Sequence, residues 1–245
     1  MANPMADFDP AQDQLAVRLA AIRARIAAAA KNCGREPDAV RLIAISKTHP
    51  ASVIKRVIEF GALDLGENRV QEAEEKISEL GRDAARWHLV GHLQANKARR
   101  AVNLFDVIHS LDSVDLARRL DRLCQEEGRE KLAVLVQVDL GQEETKSGVD
   151  ESELTHLVEG LGPLRRLELT GLMTLPPFFD DPEQSRLFFR RLRQLRDELA
   201  ARGAFGDGKG ELSMGMTNDF EVAIEEGATM VRVGTAIFGE RGPRH

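Results

Sequence analysis

The chain has no tyrosine, one tryptophan and two cysteines in 245 residues. Without tyrosine, no phenol can act as an acid or base. Cys33 and Cys124 are too few for a disulfide framework or a cysteine metal cluster, so a reducing, cytoplasmic setting is expected. No apolar run approaches the ~18 residues of a membrane helix. Positive charge is not in excess: 34 basic residues against 40 acidic ones leave a net charge of −6, the opposite balance from a nucleic-acid binder. No glycine-rich linker divides the chain. Residues 1–10 are polar and acidic, lack the charged-then-apolar order of a signal peptide, and read as a loose tail. Residues 11–245 then form one domain.

Hydrophobic residues make up 42% of the chain and charged residues 30%, enough for a packed core under a soluble surface. A helix is expected from about Ala11 to Asn32, with Leu15, Leu19, Ile22 and Ile26 on one face. Short β-branched runs then alternate with amphipathic stretches. The strands read Val40–Ser46, Leu63–Gly66, Trp87–Gly91, Phe105–Ser110, Ala133–Val138, Leu167–Met173, Glu211–Gly215 and Met230–Gly234. Seven helices separate them, the longest from Pro182 to Arg202 with Asp181 as its cap. Eight strand–helix units in this length predict an α/β fold, a single (β/α)₈ TIM-type barrel with an additional N-terminal helix. An open doubly wound sheet is the alternative.

In such a barrel, chemistry collects at the carboxyl ends of the strands. Lys47 shares a parity with Ile43 and Ile45 and ends an apolar strand. Of eight lysines, only Lys47 and Lys146 fall on that face; Lys55, Lys76 and Lys97 fall on helices. A desolvated lysine amine is a nucleophile, although a rim lysine can equally snorkel to water. Arg232 lies between two valines and is expected to face inward, as a ligand contact or as a partner of Glu211. Ser213 and Gly215 follow the seventh strand; Gly234 and Thr235 follow the eighth. Barrels bind phosphate there, and ordinary turn chemistry is the plainer reading. His88 reads more simply as an interior side chain than as a catalyst. No metal-ligand spacing occurs. Arg186, Arg190, Arg191, Arg193 and Arg196 read as a solvated basic face on the long helix. An amine facing a phosphate cradle and a guanidinium suits a phosphorylated aldehyde held as an imine. Pyridoxal phosphate fits, and a phosphosugar aldolase would use similar parts.

The segments ISKTHP, GENRVQEAEEKI, WHLVGHLQANK, KSGV, GLMTLPP and LSMGMTNDFEVAIEEGATMVRVGTAIFG, in this order, resemble the pyridoxal-phosphate homeostasis proteins over about Val40 to Gly239. The resemblance implies a fold-type III barrel similar to the alanine racemase N-terminal domain. It implies a usually monomeric protein that binds the cofactor, buffers it and delivers it to apo-enzymes. No catalytic activity is established for the family. By position, Lys47 matches the imine lysine, Asn68 a residue lining the ring, and Arg232 the arginine at the pyridine nitrogen. Ser213, Gly215, Gly234 and Thr235 match the phosphate site, and His88 matches a position whose role stays open. His92 and Asp139 depart from the family pattern, the latter often being asparagine. Alanine racemase needs a second base, a tyrosine, which this chain lacks. A slow racemase or lyase remains the alternative function. Lys146 is a candidate transient second amine.

Overall fold

The computed structural model describes residues 13–141 and 147–239. The expected tail and Lys146 lie outside the described residues. Helix α1 (Gln14–Asn32) opens with Asp13, whose carboxylate accepts the Leu15 N–H at 2.9 Å. Its apolar stripe of Leu15, Leu19, Ile22 and Ile26 is buried, as the periodicity predicts. Burial of such side chains stabilises by about 1.5–3 kcal/mol each.

The strands are β1 (Arg41–Ile45), β2 (Asp64–Glu67), β3 (Arg86–Leu89), β4 (Val107–Leu111), β5 (Leu132–Asp139), β6 (Val149–Asp150), β7 (Leu167–Met173), β8 (Glu211–Ser213) and β9 (Met230–Val233). All pairings are parallel. Eight strands close in the order β1-β2-β3-β4-β5-β7-β8-β9 and back to β1. The predicted barrel is therefore observed. The two-residue β6, attached to the end of β5, is additional. Its pattern is too short to read from sequence.

Helices α2 (Ala51–Glu59), α3 (Val70–Leu80), α4 (Ala98–Leu104), α5 (Val114–Glu126), α6 (Leu154–Leu161), α7 (Arg186–Ala201) and α8 (Phe220–Glu225) follow the strands. A short α9 (Thr235–Phe238) follows β9 and was not anticipated. Helix α1 packs against α8 and α9 and covers the seam beside the last strand. The long helix begins later than expected. Pro182–Ser185 form a 3₁₀ turn, capped by Asp181 as predicted, before α7. The α7 arginines are not a free basic face. Arg186, Arg190 and Arg193 converge on Glu226, which is 6% exposed, Arg191 pairs with Glu151, and Arg196 with Asp197.

The main core lies between sheet and helices. Inside the barrel, Ile43, Ile45, Val90 and Met230 form one small apolar group, and Val107, Leu135 and Met173 another. Odd-numbered positions of β1, Ile43 and Ile45, thus face inward.

Candidate functional site

Lys47 stands two residues beyond β1, where the chain leaves the sheet. Ile45 pairs with Gly66, and Asn68 directly follows the neighbouring strand β2. Thr48, the next residue, has φ +69°, a conformation rare for a branched side chain.

A buried cluster on the outer face of β1 and β2 holds this turn. The Ser46 hydroxyl donates to Glu67 at 2.6 Å. Lys76 of α3 donates to the Ser46 carbonyl at 2.8 Å, to Glu67 at 2.6 Å and to Glu72 at 2.6 Å. The Thr48 N–H donates to Glu72. Both peptide neighbours of Lys47 are therefore anchored to α3. Glu67 is fully buried and, among the described residues, Oε2 has no hydrogen-bond partner. Burial raises its pKa and Lys76 counteracts this. Burial also pushes Glu72 up, but bonds from Lys76 and the Thr48 N–H outweigh it and leave it below the usual range. Lys76, read from sequence as an ordinary helix lysine, is 6% exposed. Its i, i+4 spacing from Glu72 was visible, but Glu67 as a common partner was not.

Across the mouth, Gly215 follows β8 with φ +89°. A Cβ there would stand 2.5 Å from that of Ala223 and 2.9 Å from Phe220 Cα, so only glycine fits the turn. Gly234 caps the N-terminus of α9, and Thr235 is its first residue. The first N–H groups of a helix have no acceptor within it, and those of α9 follow the carboxyl end of β9.

Arg232 lies deeper and is 3% exposed. It donates to Ser213 Oγ at 2.7 Å and to the Thr174 carbonyl at 2.8 Å. Burial lowers its pKa to about 10, with Asp219 acting the other way. The possible pair with Glu211 is not formed. Among the described residues, no carboxylate lies within ion-pair distance of Arg232. One further placement, that of Ser213, differs from the sequence expectation; the other, His88, is the interior side chain that the sequence suggested. The Ser213 hydroxyl faces the barrel interior, between Arg232 and His109 Nδ1 (2.9 Å), instead of the phosphate turn. His88 is fully buried, and both its nitrogens are engaged, by His109 and Asp64 at 2.9 Å each. It does not open onto the mouth. His109 and Thr174 were not anticipated as parts of the site. The inward parity of His109 beside Val107 was the available signal. His92 faces Asp112 at 3.3 Å, and the Asp139 carboxylate accepts the Gly141 N–H at 3.1 Å.

Residues 17–242 match the family model described as alanine racemase, N-terminal domain. The pyridoxal phosphate homeostasis protein of Aquifex aeolicus is 42% identical over 224 residues, 91% of this chain and 97% of that one. Its Escherichia coli K12 namesake is 41% identical over 233 residues, 94% and 97% of the two chains. The solved PipY of Synechococcus elongatus, described with PLP bound, superposes with a TM-score of 0.80 at 39% identity, covering 92% of this chain and all of that one. The alanine racemase of Corynebacterium glutamicum (20% identity, TM-score 0.68, 91% of this chain and 62% of that one) shares the fold. The chain belongs to the alanine racemase N-terminal domain family and, within it, to the pyridoxal phosphate homeostasis proteins.

Proposed function

We propose that this protein binds pyridoxal 5′-phosphate at the barrel mouth, as a monomer of the cytoplasm, and serves its homeostasis: storage, buffering and delivery to apo-enzymes, without strong catalysis of its own. The observation that carries this reading is Arg232, a buried guanidinium with no carboxylate at ion-pair distance among the described residues, set in the wall below the mouth lysine. Buried charges are ordinarily paired. One that is not suits a polar ligand, and a pyridine nitrogen can accept from it. The donor set around it fits the rest of the cofactor. Lys47 would hold the aldehyde end covalently through its amine. Asn68, directly after β2, would line the ring. The turn at Gly215 and the N–H groups after Gly234, with the Thr235 hydroxyl, would hold the phosphate. Relatives about 40% identical carry the homeostasis name, and PipY was solved with PLP.

Bound there, the cofactor supplies an electrophilic carbon and a ring that withdraws electrons. Arg232 donates a hydrogen bond and keeps its own proton, so it does not favour a protonated ring nitrogen. The ring is then a weaker electron sink than one facing a carboxylate. The sequence also offers no tyrosine as second base. Both features favour holding over turnover.

The test is the visible absorption spectrum with and without added pyridoxal phosphate. Wild type is expected to develop a band that Lys47→Ala cannot form. Transfer to an apo-enzyme, followed by recovery of that enzyme's activity, tests delivery. Amino-acid racemisation or elimination by wild type that Lys47→Ala abolishes would overturn the homeostasis reading in favour of a slow enzyme. A protein that forms no band at saturating cofactor would overturn the binding reading.

A further inference from the structure

A line of hydrogen bonds crosses the barrel below the mouth. It runs from Arg232 Nη1 to Ser213 Oγ (2.7 Å), on to His109 Nδ1 (2.9 Å), from His109 Nε2 to His88 Nδ1 (2.9 Å), and from His88 Nε2 to Asp64 Oδ1 (2.9 Å). Ser213, His109 and His88 are fully buried. Asp64 is not. It opens β2 at the opposite face of the barrel and lines a cleft of about 470 Å³ there with Arg23, Arg41 and Leu63. The line therefore joins the proposed cofactor-facing guanidinium to solvent on the far side of the molecule.

Its polarity follows from donor and acceptor counts. Burial lowers the pKa of both histidines, that of His109 strongly, with His88, Arg232, Arg86 and Arg41 adding to the effect at His109. At His88, Asp64 opposes burial while Arg86 and Arg41 reinforce it. Above the ordinary imidazole range both rings are then neutral, each with one donor and one acceptor nitrogen. As a carboxylate, Asp64 only accepts, so His88 Nε2 carries the hydrogen and Nδ1 accepts. His109 Nε2 must then donate and its Nδ1 accept, so the Ser213 hydroxyl donates to it. The Ser213 oxygen is left to accept from Arg232. The Arg232 end alone cannot impose this order, because a hydroxyl oxygen can accept from both neighbours. Only Asp64 does.

We propose that Asp64, acting through His88 and His109, is a positioning residue for Arg232: it fixes both histidine tautomers and the Ser213 hydroxyl, and so couples the far-face cleft to the electronic state of the bound ring. Hydrogen-bonded chains polarise one another in a low-dielectric interior, and a chain with all donors pointing one way carries that polarisation end to end. The coupling to the ring rests on the reading of Arg232 as its nitrogen contact; the order of the chain does not.

The experiment is long-range ¹H–¹⁵N NMR of ¹⁵N-histidine-labelled protein without cofactor. Wild type is expected to show His88 and His109 as neutral Nε2–H tautomers. Asp64→Leu is expected to shift the His109 ring nitrogens toward a tautomer mixture, although residue 64 does not touch His109, and Asp64→Glu to restore them. Ser213→Ala, cut at the other end, is expected to leave both tautomers in place; it also provides a readout if Asp64→Leu does not fold. An Nδ1–H tautomer at either histidine in wild type, unchanged His109 resonances in folded Asp64→Leu, or tautomer loss in Ser213→Ala would each overturn the proposal. These arms are independent of cofactor binding. In the loaded protein, the ring-nitrogen ¹⁵N shift is expected to differ between wild type and Asp64→Leu; identical shifts would overturn the coupling to the ring.

Discussion

Lys76 shows how one side chain can support a site it does not enter. It is the counter-ion of the fully buried Glu67, and it anchors the peptide before Lys47. Removing one partner of a buried pair costs about 3–5 kcal/mol, so Lys76→Met is expected to lower stability by that order in urea unfolding. Burial already raises the Glu67 pKa, and without Lys76 it rises further. A carboxyl whose folded pKa is raised favours the fold when protonated, so the defect is expected to shrink as the pH falls. Adding Glu67→Gln removes the uncompensated charge and is expected to recover most of the loss. The interior histidines act in the opposite sense. Their folded pKa values are depressed, chiefly by burial, so the unfolded chain takes up protons first. The stability they contribute is present above about pH 6.5 and is lost as the pH falls toward the folded values, by up to roughly 1.4 kcal/mol per pH unit for each. Urea titrations at about pH 7.5 and 5.5 measure it, and His109→Leu is expected to flatten the slope.

Among the elements, β7 and β8 approach where Gly171 pairs with Glu211. A Cβ on Gly171 would stand 2.1 Å from the Glu211 carbonyl oxygen and 2.6 Å from its nitrogen. Backbone cannot yield as a flexible side chain does, so Gly171→Ala is expected to destabilise by at least about 1–3 kcal/mol in thermal unfolding. Ser213 ends β8, so the same variant is expected to weaken pyridoxal phosphate binding by displacing the support of Arg232. Losing the Asp181 cap, which holds the Glu183 N–H at 3.1 Å, is a milder change. Asp181→Ala is expected to cost about 1 kcal/mol. Element order and type were readable from sequence because burial on one face imposes a period of 3.6 residues on helices and 2 on strands. Even β7 has the bounds the pattern predicts, Leu167–Met173. Helix α9 was not readable, since its four residues are less than one and a half turns of such a period.

At the scale of the molecule, closure makes the barrel one interdependent ring, because β4 reaches β5 and β9 returns to β1. The lone Trp87 lies fully buried in β3, and with no tyrosine in the chain it alone reports protein fluorescence on unfolding. A single cooperative unit predicts that this signal and far-UV circular dichroism share one urea midpoint. Separated midpoints would mean that parts of the ring unfold on their own.

By itself the sequence determined the barrel, the inward parity of Arg232, and the family, because periodicity, strand parity and ordered motifs are local or linear properties. Only the tertiary structure decided who meets whom. Glu67 and Lys76 are nine positions apart, yet they join only when α3 packs over β2. The Ser213 hydroxyl, expected in the phosphate turn, is claimed from inside by Arg232 and His109, which lie on β9 and β4. Asp64, unremarkable in the sequence, ends a polar line that begins at Arg232 across the barrel. Partners such as these are set by barrel closure and strand register, which bring distant residues within hydrogen-bond range and leave no local trace along the chain.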